Sequence, residues 1–263
     1  MTIRVGVFGA AGRMGSTVCR AVADDPALEL VGAIDPYHAG LDLRHAIGVD
    51  VPDLHIDPDP TELLARHVDV VVDFTLLEAA RANLAWAADN DIHAVVGTTG
   101  FTEGDYVRIR KDFTGANCII APNFAIGAVL MMRFAELAAP WFETAEIIEL
   151  HHDQKADAPS GTATLTAKRM AGASDEWGDD PTRNEIVPGV RGGKGPAGIP
   201  IHAVRLRGVV AHQEVLLGTT GQSLTLRHDS YDRSSFMPGV VLAIKEVGKR
   251  PGLTVGLDEL LGI

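Results

Sequence analysis

The sequence predicts an α/β protein with a doubly wound parallel sheet and a second, smaller α+β domain with a mixed sheet. Three observations favour this fold class. Short β-branched runs alternate with helical segments in the first half, a glycine-rich turn follows the first run, and the pattern changes after Asn123. Continuous apolar strands separated by helices are typical of a parallel sheet covered on both faces. At 263 residues the chain also exceeds the usual ~100 to 200 residues of one domain.

Five apolar runs in the first half are predicted strands, with amphipathic segments between them. The runs span 3–8, 28–34, 68–74, 93–96 and 117–120. The helical segments, which have apolar residues three and four positions apart, span 14–23, 77–88 and 102–113. This alternation indicates βαβ units.

The second half has a different order of elements. We predict a helix at 126–137, a strand at 145–150, a helix at 162–171, strands at 201–207, 214–218 and 223–228, and a last helix at 238–248. The Gly/Pro-rich stretch 188–200 is predicted to be a mobile loop. If the last helix returns to the first domain, residues 1–125 and 235–263 form a dinucleotide-binding domain, and residues 126–234 form a domain for substrate binding and oligomerisation.

The bulk composition argues against several classes of partner. The formal net charge of −12 disfavours nucleic acid and anionic membranes, because both are bound by positive surface. The two cysteines form no CxxC pair, and no metal is expected. The N-terminus has no basic segment followed by a long apolar run, and no apolar run reaches ~18 residues, so a cytoplasmic protein that does not span a membrane is expected.

Three glycines follow the first predicted strand in the pattern GxxGxxG. Gly9, Gly12 and Gly15 would let the strand turn tightly into a helix whose N-terminus holds a pyrophosphate. Asp35 ends the second strand, where an acid accepts hydrogen bonds from the adenosine ribose. The sequence therefore predicts dinucleotide binding. A glycine-rich turn in another α/β fold, with Asp35 as a solvated acid, remains the alternative.

A short polar or glycine-rich segment stands at the end of each of three further predicted strands. The segments are Asp73-Phe74-Thr75, Gly97-Thr98-Thr99-Gly100 and Ala121-Pro122-Asn123-Phe124. Each alone is compatible with an ordinary strand-to-helix turn. Together, after consecutive parallel strands, they would line one crevice at the carboxyl ends of the sheet.

The densest polar cluster lies in residues 149–163, ELHHDQKADAPSGTA, between a predicted strand and a predicted helix. Ser160 is a natural N-cap, so the amides of Gly161, Thr162 and Ala163 are expected to be available to an anion such as a carboxylate. A nucleophilic role for Ser160 is disfavoured because Pro-Ser-Gly differs from the Gly-x-Ser-x-Gly elbow.

Three interpretations of the histidines in this cluster stay open. The first is a metal site, but His151 and His152 are adjacent, so on an extended backbone their rings point to opposite sides, which is poor for sharing one metal. A polar loop whose histidines only form hydrogen bonds is the second interpretation. Acid–base or substrate-orienting work by His151, His152 and Lys155 is the third, and we favour it.

The glycine loop, Gly-Thr-Thr-Gly, Ala-Pro-Asn-Phe and above all Glu-Leu-His-His-x-x-Lys-x-Asp-Ala-Pro-Ser-Gly-Thr-Ala resemble the 4-hydroxy-tetrahydrodipicolinate reductase family, formerly dihydrodipicolinate reductase. The resemblance covers nearly the whole chain. It implies a Rossmann domain built from both chain ends, a central substrate domain and a homotetramer. It also implies reduction of a small cyclic hydroxy-dicarboxylate with NADH or NADPH and loss of water, in lysine and diaminopimelate biosynthesis.

The same resemblance implies roles for individual residues. His151 would be a proton donor or acceptor and Lys155 a proton donor, while His152, Gly161 and Thr162 would contact the substrate. The cofactor would be held by Gly9, Ala10, Ala11, Gly12, Arg13, Met14, Asp35, Gly97, Thr98, Thr99, Ala121, Pro122, Asn123 and Phe124. Some members carry a base at the position of Ala11 or Pro36 that serves a 2′-phosphate, and in this chain only Arg13 remains.

Two rival functions stay open on the sequence. One is another reductase on the same architecture, such as an amino-acid dehydrogenase. The other is a regulatory protein that binds NAD(H) without chemistry and would not need His151, His152 and Lys155 beside an anion-ready helix.

Overall fold

The computed structural model describes residues 2–48 and 50–263, which contain two β-sheets. The first sheet is parallel throughout. The strands are β1 (Ile3–Phe8), β2 (Leu28–Ile34), β3 (Val70–Asp73), β4 (His93–Val96), β5 (Cys118–Ile120) and β11 (Leu253–Val255). Their order in the sheet is β11-β5-β4-β3-β1-β2. The strand order reverses beside β1, which is where doubly wound sheets open a ligand crevice.

The helices of this part of the chain precede or follow the parallel strands along the sequence. They are α1 (Arg13–Asp24), α2 (Leu43–Ile47), α3 (Thr61–Ala65), α4 (Leu77–Asp89), α5 (Glu103–Asp112), α8 (Met237–Val247) and α9 (Asp258–Leu261). Helix α1 buries one stripe of small and apolar residues, among them Val18 and Val22. Helix α5 begins with a capping box in which Thr102 and Asp105 bond each other's backbone N–H.

The second sheet is mixed and lies against two helices. The strands are β6 (Thr144–His151), β7 (Gly193–Lys194), β8 (Pro200–Arg205), β9 (Ala211–Thr219) and β10 (Gln222–Ser230), and the helices are α6 (Ile126–Ala138) and α7 (Gly161–Ala173). The order of the strands is β10-β9-β6-β8-β7, and among neighbouring strands only β6 and β8 are parallel. Ile147, Val215 and Leu217 form one core with Ala167 and Met170 of α7.

The chain divides into two compact units. The first comprises Met1–Phe124 with Phe236–Ile263, and the second comprises Ala125–Ser235. The roles expected of 1–125 with 235–263 and of 126–234, cofactor binding and substrate binding, stay predictions at this level.

The predicted fold class is confirmed, with differences in detail. Strand β11 and the short helices α2 and α3 were not predicted, because elements of three to five residues are too short to show a periodic pattern. The stretch 188–200 is not wholly loop, since it contains β7 and the 3₁₀ turn Pro196–Gly198. Among residues 2–48 and 50–263, no helix combines the length and apolarity that crossing a membrane requires.

Candidate active site

The carboxyl ends of the parallel strands lie level with one another. In the register of the sheet, Phe8 pairs with Ile34 and with Asp73, Asp73 pairs with Val96, and Val96 pairs with Ile120. The turns that begin at positions 9, 35, 74, 97 and 121 therefore start from one edge. The predicted cofactor segments are brought together by this register.

The turn after β1 excludes side chains by close contact. Gly9 has a positive φ of 66°, and the Gly12 N–H donates to the Gly9 carbonyl at 2.9 Å. A Cβ on Gly15 would lie 2.0 Å from the same carbonyl oxygen, so only glycine fits there. Gly12 caps α1 without a side chain, and the first turn of α1 contains no acid. This bare, positive helix end fits the pyrophosphate of a dinucleotide.

Asp35, at the end of β2, is a positioned carboxylate. Its side chain is only 8% exposed and accepts a hydrogen bond from the Tyr37 N–H at 3.1 Å. His38 Nδ1 lies 3.1 Å from the same carboxylate oxygen. The alternative of a solvated strand-end acid is therefore wrong. His38 was missed from the sequence, where a basic residue was considered only at the position directly after Asp35, which is occupied by Pro36.

A second buried carboxylate holds the turns after β3 and β4. Asp73 accepts hydrogen bonds from Asn83 Nδ2 at 2.6 Å and from the N–H and hydroxyl of Thr75, both at 2.7 Å. The Thr98 hydroxyl donates to the Thr75 carbonyl at 2.9 Å. Thr98 thus braces one turn against the other through its side chain.

Aromatic packing joins the turns after β3, β4 and β5. The Phe74 and Phe124 ring centroids are 5.6 Å apart. A Cβ on Gly97 would lie 2.0 Å from the Phe74 ring, so the backbone at Gly97 comes close to that ring.

The remaining predicted cofactor residues differ in exposure. Ala10, Ala121 and Phe124 are buried, Gly12, Arg13, Thr99 and Pro122 are exposed, and Ala11, Met14 and Asn123 are intermediate.

In the second unit, the polar cluster is organised around Glu149. This residue lies on β6, and its side chain is fully buried. Its carboxylate meets His151 Nδ1 at 2.6 Å and accepts the Ser160 N–H at 3.1 Å. Glu149 and His151 lie on the same face of β6 because side chains in a strand alternate. The strand end and the start of α7 are thereby joined through one carboxylate.

Arg205, on the neighbouring strand β8, completes this cluster. In the parallel register it pairs with His151. Its guanidinium binds both Glu149 oxygens, at 2.8 and 2.9 Å, in a two-pronged ion pair. The same side chain donates to the Lys155 carbonyl at 3.3 Å and the Asp157 carbonyl at 2.7 Å. Sequence reasoning missed Arg205, because its partners are distant along the chain.

Lys155 lies in the loop held by Arg205. Its ammonium contacts both Asp157 oxygens, at 2.7 and 2.9 Å, and its side chain is 20% exposed. This ion pair lowers the pKa of Asp157 below its usual value. Lys155 in this loop and His151 at the end of β6 are thus two candidate proton-carrying groups of one cluster.

Helix α7 begins where the sequence predicts, but its N-cap already binds the Ala163 amide. Ser160 is the N-cap, and its hydroxyl accepts the Ala163 N–H at 3.1 Å. The expectation that the Ala163 amide is available to a ligand is therefore wrong, because the cap already satisfies that donor. Gly161 and Thr162 remain the predicted substrate contacts in this turn.

Burial of the ring favours a neutral His151 beside an ionised Glu149. Burial lowers the pKa of His151, and the cations of Lys155 and Arg205 add to this effect, although Glu149 opposes it. Burial works to raise the pKa of Glu149, but the bonds from Arg205 and His151 outweigh it and hold that pKa below its usual value.

His152 follows the last residue of β6 and is half-buried. Within residues 2–48 and 50–263, no three or more His, Cys, Asp or Glu side chains are grouped so as to hold a metal ion.

Comparison with known proteins identifies both parts of the chain. Residues 3–124 match the family described as dihydrodipicolinate reductase, N-terminus, and residues 127–261 match dihydrodipicolinate reductase, C-terminus. The 4-hydroxy-tetrahydrodipicolinate reductase of Corynebacterium urealyticum is 47% identical, with 99% of each chain covered. That of Mycobacterium marinum is 49% identical, over 99% of this chain and 100% of its own.

Solved structures agree with these relatives. A dipicolinate-bound dihydrodipicolinate reductase from Paenisporosarcina sp. TG-14 has a TM-score of 0.84 at 40% identity, covering 98% of this chain and 99% of its own. An amine dehydrogenase from Mycobacterium smegmatis has a TM-score of 0.66 at 15% identity, covering 97% and 95% of the two chains. The second similarity shows the fold alone.

Proposed function

The chain belongs to the dihydrodipicolinate reductase family, and from that premise we propose how its residues divide the work of the reaction. It is an NAD(P)H-dependent oxidoreductase that reduces 4-hydroxy-tetrahydrodipicolinate to tetrahydrodipicolinate with loss of water, in lysine and diaminopimelate biosynthesis. The observation that carries this function is identity of 47–49% with such reductases over essentially the full chain.

The residues of the first unit fit a dinucleotide. We propose that the turn 9–14 holds the pyrophosphate at the bare end of α1, and that Asp35 accepts hydrogen bonds from the adenosine ribose. The braced segments 97–99 and 121–124 hold the remainder of the cofactor at the same edge of the sheet. The bound cofactor supplies the hydride for the reduction.

The residues of the second unit fit a small ring that carries two carboxylates. We propose that one carboxylate is held by Lys155 and His152, and the other by the first turn of α7 at Gly161 and Thr162. The similar structure from Paenisporosarcina sp. binds dipicolinate, which is also a ring dicarboxylate. That chemistry supports a dicarboxylate site in this chain.

The reaction balance requires one proton and one hydride for each turnover. The ring hydroxyl leaves as water together with a hydrogen from the neighbouring ring carbon, an electron-poor carbon of the resulting unsaturated ring accepts the hydride, and a second ring position accepts the one added proton. We propose that the Lys155 ammonium gives this proton, because the lowered pKa of His151 favours an uncharged ring. His151, at the end of β6, then works as a hydrogen-bonding and proton-accepting partner of Lys155.

The function is tested by mixing the purified protein with NADH and enzymatically generated 4-hydroxy-tetrahydrodipicolinate. We expect nicotinamide absorbance to fall only when protein and substrate are both present. If absorbance stays constant with this substrate and falls with an amino acid or its keto acid, the rival dehydrogenase is correct. If NADH binds but no candidate substrate is turned over, the chain is a nucleotide-binding regulator.

Cofactor choice is expected to be broad, with NADH modestly favoured. Asp35 repels a 2′-phosphate and Arg13 attracts one, and the exposed Arg13 is screened by solvent, so the margin is about 1 kcal/mol or less. Asp35→Ala should move the ratio of kcat/KM values towards NADPH, and Arg13→Ala should move it towards NADH. Arg20→Ala, a change at another exposed position of α1, is the matched control. A large NADPH preference in the unmodified protein would contradict this expectation.

We propose that the protein is a homotetramer. Strand β10 has nine residues and lies at an edge of the second sheet, where its unpaired backbone groups favour pairing with another copy. Analytical ultracentrifugation at micromolar concentration should give the mass of four chains, and a monomer there would refute the proposal.

We further place the enzyme in the cytoplasm, where the two buried cysteine thiols would stay reduced.

A further inference from the structure

We propose that Glu149 is a positioning residue of the active site, which fixes the hydrogen-bonding state of His151 and presents the Nε2 atom of its ring to the substrate. This inference rests on the proposed function of His151. It assigns to Glu149 a role in the reaction without contact with the substrate.

The tautomer of His151 follows from its contact with Glu149. An ionised carboxylate only accepts hydrogen bonds, so at 2.6 Å from Glu149 the Nδ1 atom of His151 must carry a hydrogen. A neutral imidazole has one N–H, and therefore its Nε2 atom is left as an acceptor. The lowered pKa of Glu149 agrees with the ionised form that this tautomer needs.

Glu149 is itself held rigidly. Its carboxylate is fully buried and receives four hydrogen bonds, two from Arg205, one from His151 and one from the Ser160 N–H. A buried carboxylate with this many donors cannot reorient without leaving several of them unpaired. The ring of His151 is consequently held in one orientation at the end of β6.

Glu149 and Arg205 have separable roles. Arg205 also binds the carbonyls of Lys155 and Asp157, so it shapes the loop, whereas Glu149 bonds the imidazole. The charged groups that act on His151 are Glu149 on its own strand, Lys155 in the loop and Arg205 on β8. Loss of the carboxylate should lower the pKa of His151, and loss of the guanidinium should raise it.

The test compares Glu149→Gln with Arg205→Met. In Glu149→Gln a single amide oxygen remains, and Arg205 competes for it, which leaves the amide N–H₂ facing His151. That donor needs a bare Nδ1, so the ring proton should move to Nε2. We expect kcat to fall roughly 10–100-fold, as when a functional histidine loses its orienting partner, with little change in KM. Arg205→Met should keep the tautomer, but by loosening the Lys155 loop it should raise KM as well as lower kcat.

Nitrogen-15 NMR of the histidine ring reports the tautomer directly, and His151→Ala identifies the signal. The unmodified, ligand-free protein should show a neutral His151 with the hydrogen on Nδ1, a result that does not depend on how any variant folds. A hydrogen on Nε2 in that protein would overturn the proposal. The proposal also fails if both variants shift the pKa of His151 in one direction, or if Glu149→Gln keeps normal kcat.

Failure of the proposed function is seen separately. It is read from the unmodified protein alone, as the absence of NADH oxidation with 4-hydroxy-tetrahydrodipicolinate. The tautomer is measured without substrate or cofactor, so the contact between Glu149 and His151 is judged independently of the reaction.

Discussion

Replacing Lys155 with alanine is expected to lower kcat/KM by about 100-fold or more. Positioned proton transfer typically supplies 10²–10⁴-fold, and Lys155 is the cation of the loop that we assign to this step. The affinity for NADH should barely change, because the residues that fit the pyrophosphate are in the first unit and Lys155 is in the second. Steady-state kinetics and NADH binding to the same preparation check both statements.

The matched control for this change is Lys168→Ala. Lys168 is an exposed lysine on α7 in the same unit. The substitution Lys168→Ala should leave kcat/KM unchanged. Loss of the Lys155 ion pair with Asp157 should cost little stability, because Asp157 is 69% exposed and such pairs contribute about 0–1 kcal/mol. If Lys155→Ala folds normally and keeps near-normal turnover, the cluster is a solvated loop and the assignment fails.

Replacing His151 with alanine is expected to have an effect of similar size, about 100-fold on kcat/KM. The ring is only 17% exposed and lies at the end of β6, directly before the loop that carries Lys155, so we expect both groups to serve one transition state. The double variant with Lys155→Ala should therefore lose less than the product of the two single losses. If the double variant instead loses as much as the product of the two single losses, the two groups act independently.

The stability of His151→Ala needs its own measurement. Glu149 loses one donor but keeps Arg205 and the Ser160 N–H, so a cost of about 1 kcal/mol is expected. Thermal unfolding separates this cost from a loss of activity. His45→Ala, which changes a histidine whose side chain is 90% exposed, is the control and should leave the kinetics unaltered.

Much of the first sheet was predictable because its strands are continuous apolar runs. The bounds of β1, β2 and β4 agree with the predicted 3–8, 28–34 and 93–96. Glycines and polar residues after these strands predicted one shared edge for ligand contacts, since parallel strands align their carboxyl ends. Strand β11 was not predictable in this way, because Leu253–Val255 gains its partner β5 only through the fold.

The sequence shows which residue types the second-unit site contains but not how they are held. Glu149, His151, Lys155 and Ser160 are local in sequence, and a strand followed by an N-cap indicates their order. Arg205 reaches them from β8, through a parallel pairing that no local pattern reveals. His38 was overlooked for a different reason. Its contact with Asp35 depends on a turn that returns the ring to the end of β2.

Hydride transfer from reduced nicotinamide to the ring of 4-hydroxy-tetrahydrodipicolinate is the reaction on which the residue assignments depend. The most direct test supplies NADH that carries deuterium at the transferred position, together with the enzymatically generated substrate, and analyses the product by mass spectrometry. We predict tetrahydrodipicolinate that contains the deuterium, formed in step with oxidation of the nicotinamide. Product without deuterium, or reduced nicotinamide that persists beside unchanged substrate, would contradict this reaction.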